Sequence, residues 1–94
     1  MKQRAIDHGT ASDLAVSALV FLAQDMERLG RFLALSGLDP SKIRDAARDP
    51  NFLIGVLDYV LADEGLLIAF TAEAGIRPDM VAEAKTTLAG PTQH

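Results

Sequence analysis

Phe32-Leu33-Ala34-Leu35-Ser36-Gly37-Leu38-Asp39-Pro40 decides the fold. The apolar residues end at a glycine, the residue that most readily takes the left-handed conformation closing a helix. Asp39 then offers a side-chain cap, and Pro40 fits a first helical turn, where its missing N–H loses no hydrogen bond. The stretch reads as helix, tight turn, helix. Thirty-eight residues further on, Phe70-Thr71-Ala72-Glu73-Ala74-Gly75-Ile76-Arg77-Pro78 repeats the plan with Phe, Ala, Gly and Pro in register. The match continues to Ile43 and Ala46 against Val81 and Ala84. Upstream, Leu19, Asp25 and Leu29 fall on Leu57, Asp63 and Leu67, while Val16, Phe21 and Leu22 fall on Ile54, Tyr59 and Val60.

Two readings account for this. One is an internal duplication of a three-helix unit, repeat one at about 14–46 and repeat two at about 52–84, packed about a pseudo-twofold axis. In that arrangement helices 1 and 4 are equivalent, and Ser17 and Gly55 allow them to approach closely. The other is that helix ends share a grammar, so any two helix–Gly–helix segments look alike.

Working outward, Thr10 caps a first helix over about Ser12–Gln24, answered weakly by Asp13. Asp25 caps a second, Met26–Ser36. Helix 3 is short and polar, Pro40–Arg48. Asp49-Pro50 starts helix 4, reaching Ala62; Asp63 caps helix 5, Glu64–Ala74; Pro78 opens helix 6, reaching about Leu88. Residues 1–9 and 90–94 are expected to be disordered ends flanking one helical domain, 10–89. No window alternates well enough for a strand. The fold class is all-α, a bundle of about six short helices.

Composition agrees. Of 94 residues 49% are hydrophobic and only 5% aromatic, so aliphatic side chains must fill the core. The longest apolar run, Leu14–Ala23, is ten residues, too short for a bilayer that needs about 20. The polar start of the chain lacks a signal-peptide core. With no cysteine, disulfides and thiolate chemistry are excluded, and a cytoplasmic location is expected. A net charge of −4 disfavours general nucleic-acid binding.

The candidate functional residues are charges. Met26–Arg48 holds five basic residues (Arg28, Arg31, Lys42, Arg44, Arg48) against three acidic, a net of +2; Asp49–Ala84 holds one basic against seven acidic, a net of −6. The five cations form a candidate partner-binding patch, weighed against a merely solvated face. Helices 2 and 3 have helix-turn-helix proportions, so a DNA reader using Arg44 and Arg48 is the weaker alternative. Asp63 and Glu64 form a candidate acidic corner. With Tyr59 they could serve a cryptic enzyme or small-ligand binder, if they converge in an enclosed pocket. The simpler account is a cap and a first-turn acid facing the helix dipole. His8 and His94 stand in the expected disordered ends, with no metal-ligand spacing around them. No cofactor motif is present. Gly30 and Gly65 interrupt predicted helices, where glycine costs about 1 kcal/mol relative to alanine.

Phe32–Pro40 with Ile43-Arg44, Asp49-Pro50-x-Phe52-Leu53, Val56-Leu57-Asp58, Asp63-Glu64 and Phe70 together resemble a small uncharacterised family of bacterial, mainly alphaproteobacterial, proteins, over about Leu14–Leu88. The resemblance implies an all-helical cytoplasmic protein and supplies no activity, cofactor or site residue. The expectation is a non-enzymatic module that binds another protein or itself as a homodimer. Its partner surface should lie on helices 2 and 3 or at the corner between helices 4 and 5, where apolar residues stay exposed.

Overall fold

The computed structural model describes residues 6–90. It contains α1 (His8–Ala23), α2 (Met26–Ser36), a 3-10 turn (Pro40–Lys42), α3 (Ile43–Ala46), α4 (Pro50–Ala62), α5 (Glu64–Ala74) and α6 (Pro78–Ala89). There is no strand among the described residues. His94 and the outer parts of both expected disordered ends lie outside them.

The caps explain most boundaries. Asp25, Asp39, Asp49 and Asp63 each adopt extended backbone and accept a main-chain N–H of the following turn. Gly37 and Gly75 close α2 and α5 at φ 73° and 72°, where a side chain would be strained. The start of α1 differs from expectation. Asp7, not Thr10, is the cap: its carboxylate accepts the Thr10 N–H at 2.7 Å. Ile6 packs on the core, and its carbonyl accepts the Thr87 hydroxyl at 3.4 Å. Residues 6–9 are therefore part of the fold, and His8 is the first residue of a helix.

Helix 3 is the other correction. Instead of one helix over Pro40–Arg48, the segment splits into a 3-10 turn and four α-helical residues. The Asp39 carboxylate accepts both the N–H and the hydroxyl of Ser41 at 2.9 Å, tightening the first turn. Only Ile43, Ala46 and Ala47 are half-buried, too little apolar surface to support a longer helix.

The core lies among α1, α4 and α6, which pack on one another. Leu22, Val56, Leu57, Val60, Val81 and Ala84 are completely buried there. Phe70 of α5 is 2% exposed and meets the Phe21 ring at 5.5 Å. The Thr71 hydroxyl, the buried polar side chain of α5, donates to the carbonyls of Leu67 and Ile68. α1 is less enclosed than its sequence suggests: Val16, Ser17 and Val20 face outward. α1 and α4 do pack together, but not through the expected pair of small residues. Ser17 is exposed, and a Cβ placed on Gly55 would meet nothing within 4 Å. The third helices of the two matched segments are also unlike. Twelve-residue α6 is inserted against α1 and α4, whereas α3 packs mainly on the turn before it.

Candidate functional site

α2 lies on α1 and reaches α4 through side chains, which leaves a seam between α2 and α4. Leu35 and Ser36 of α2 share one recess with Asn51 and Phe52 of α4; Arg28 and Arg31 share a second with Tyr59 and Asp63. The two helices therefore pass antiparallel, and Tyr59 belongs to both recesses. On α2, positions 28, 31, 32 and 35 recur at helical spacing, so they form one stripe along the seam.

The first recess, about 450 Å³, is apolar over most of its walls. Phe32 is its buried anchor, with the Phe52 ring at 5.7 Å and the Tyr59 ring at 5.2 Å, both edge-on. Such tilted pairs are the favourable geometry for aromatic rings. Gly55 stands in the same wall with open space where a side chain would be. Leu35 stands on the rim, 76% exposed. Asp58, also on this rim, is neutralised by Lys85, whose Nζ lies 2.6 Å away.

The second recess, about 210 Å³, is lined by Arg28, Arg31, Tyr59, Asp63, Gly65 and Leu66. Here the expected basic patch and the expected acidic corner meet in part. The Arg28 guanidinium sits over the Phe21 ring at 5.0 Å and 3.8 Å from the Asp25 carboxylate. That half-exposed pair is worth at most ~1 kcal/mol. Arg31 makes no ion pair among the described residues. Asp63 accepts the Leu66 N–H at 3.1 Å, which is the capping role. Glu64 is exposed and absent from the recess walls. Tyr59 and Asp63 share a small open recess with two arginines, and among the described residues Glu64 does not join them there.

The remaining cations go elsewhere. Lys42, Arg44 and Arg48 are exposed on the 3-10 turn, α3 and the loop after it, and none lines the seam. The five-residue patch therefore divides into two arginines in a recess and three solvated side chains. Four helical residues span about 6 Å, too short for a recognition helix laid along a DNA groove. Among the described residues no three His, Asp or Glu side chains are grouped to hold a metal. No helix among them is long and apolar enough to cross a membrane.

A family model matches the chain from residue 8 to residue 91, the span from the start of α1 to just beyond α6. The chain belongs to that family, described as protein of unknown function (DUF3572). No curated protein and no solved structure matches it.

Leu35, Asn51, Phe52 and Gly55 line the recess without any charge cluster or motif that marks them as site residues. A signal was present: Phe52, Gly55 and Tyr59 recur at three- and four-residue intervals, with a glycine at the centre of an otherwise apolar face.

Proposed function

We propose that this protein is a non-enzymatic helical module that binds another polypeptide through the α2–α4 seam. The observation that carries this reading is the apolar recess over Gly55, with Leu35 exposed at its edge beside a packed aromatic cluster. Exposed apolar surface is costly in water, at about 25 cal/mol per Å², and burial against a partner recovers it. Large apolar side chains seated beside Phe32, Phe52 and Tyr59 make the kind of buried anchor that dominates binding energy. An open trough along two helices suits a protruding segment, as in helix-in-groove recognition. A reducing, cytoplasmic setting suits a chain without cysteine.

The test compares native protein with Leu35→Glu. Leu35 is exposed, so the charge should leave folding intact while disabling the recess. Immobilised native protein should retain a cellular protein that Leu35→Glu does not, with unchanged circular dichroism. Equal retention by both forms would refute the seam as the binding surface. Light scattering on the free protein tests the homodimer: a concentration-dependent mass lost in Leu35→Glu would make the partner a second copy.

A further inference from the structure

We infer that residues 26–48, which hold α2, the 3-10 turn and α3, form an arm that swings off an intact bundle of α1, α4, α5 and α6, with Phe32 as its latch and Asp25 and Asp49 as its hinges. This holds whatever the seam binds. Phe32 is the one buried residue between Ala23 and Phe52. Every other buried hydrophobic residue belongs to α1, α4, α5 or α6. The arm's remaining apolar contacts are half-buried: Leu29, Leu33, Ile43 and Ala47 rest on the edge of the core. α2 packs on α1, and α3 packs mainly on the turn before it, so neither is enclosed on a second side.

The polar bonds divide at the same boundary. α6 is tied to α4 by Lys85 and Asp58, and to the start of the chain by Thr87 and Ile6. Among the described residues, every side-chain hydrogen bond and ion pair of the arm stays within residues 25–48: Asp25 with Glu27 and Arg28, Ser36 with Leu33 and Leu38, Asp39 with Ser41. Asp25 and Asp49 are extended, at φ −128° and −95°, so no helical ladder continues from α1 into α2 or from α3 into α4. What holds the arm down is the edge-on packing of Phe32 against Phe52 and Tyr59, helped by Arg28 over the Phe21 ring. Opening therefore presents Phe52, Tyr59 and one face of Phe21 to solvent. A released α2 has 11 residues with Gly30 inside, short of the roughly 12–15 at which an isolated helix begins to persist in water, so opening also melts it.

Native-state hydrogen exchange in increasing urea tests this on the unaltered protein. The α2 amides from Leu29 to Gly37 should exchange together, about tenfold or more faster than the slowest amides of α1, α4 and α6. Their opening should depend only weakly on urea, because it uncovers a small part of the apolar surface, while the core amides exchange through a second, steeper opening. Phe32→Ala should remove the protection of α2 and part of the helical circular dichroism, and leave α1, α4 and α6 protected and melting in one cooperative step. One shared rate and urea slope for α2 and the core in native protein would overturn the arm. A wholly unfolded Phe32→Ala protein would overturn it as well, by showing that the other helices do not stand without α2. A Phe32→Ala protein in which α2 stays as protected as α1 would overturn Phe32 as the latch.

Discussion

Replacing Gly55 by alanine should make this protein more stable and its seam less able to bind. Gly55 lies in the interior of α4, where glycine forfeits about 0.5–1 kcal/mol relative to alanine through the greater freedom of the unfolded chain. That gain is usually cancelled in a packed helix because the new methyl group collides with a neighbour. Here a Cβ meets nothing within 4 Å, so no collision opposes it. In a domain of this size about 1 kcal/mol raises the melting temperature by about 4–8 °C. Gly30 is the control: it too is inside a helix with open space around its Cβ, but it lines neither half of the seam. Thermal and urea melts followed at 222 nm should show Gly55→Ala and Gly30→Ala stabilised alike. Binding of a seam-directed peptide should weaken only for Gly55→Ala, because its methyl group occupies the wall of the trough. Destabilisation by Gly55→Ala with Gly30→Ala behaving as expected would show that the space over Gly55 is filled in solution, and the trough would lose its basis.

Three further outcomes follow from the packing and the caps. Phe70→Ala should remove about 3–5 kcal/mol, since a buried ring against Phe21 leaves a cavity that α1 and α5 cannot fully close; a loss under 1 kcal/mol in urea unfolding would contradict its burial. Gly37→Ala and Gly75→Ala should each cost about 1 kcal/mol, opposite in sign to Gly55→Ala, because a Cβ is strained at their positive φ; equal melting temperatures would argue against left-handed helix ends. The Asp7 carboxyl is held below its ordinary 3.8 by the Thr10 backbone N–H and then its hydroxyl, and Asp39 by the same two groups of Ser41. A depressed carboxylate stabilises the folded state above the unfolded value and loses that effect as pH falls through the lower native value. Carboxyl carbon shifts should therefore titrate below 3.8 at both residues, with Thr10 amide protection fading over the same acid range; midpoints at or above 3.8 would exclude these caps.

Much of the fold could be read locally. Asp25, Asp49, Asp63, Gly37 and Gly75 were sufficient to place α2, α4 and α5, because a cap joins residues two or three positions apart and needs nothing from the rest of the chain. The same grammar failed where local signals competed. Thr10 is a plausible cap on its own, yet Asp7 holds the position because Ile6 is drawn onto the core and Thr87 of α6 binds its carbonyl. Pro40–Arg48 carries a good start signal but too little apolar surface to continue as a helix. The 38-residue match was visible in sequence, yet it could not place α6 against α1 and α4 while leaving α3 at the edge. Of the candidate site, Arg28, Arg31, Tyr59 and Asp63 could be picked out by residue type, but not the separation of Lys42, Arg44 and Arg48 from them. Helix identity and ends were thus settled by short-range hydrogen bonding and backbone conformation. The trough over Gly55 was settled by how far Phe32 holds α2 from α4, a property of side chains about twenty residues apart that exists only once the helices have packed.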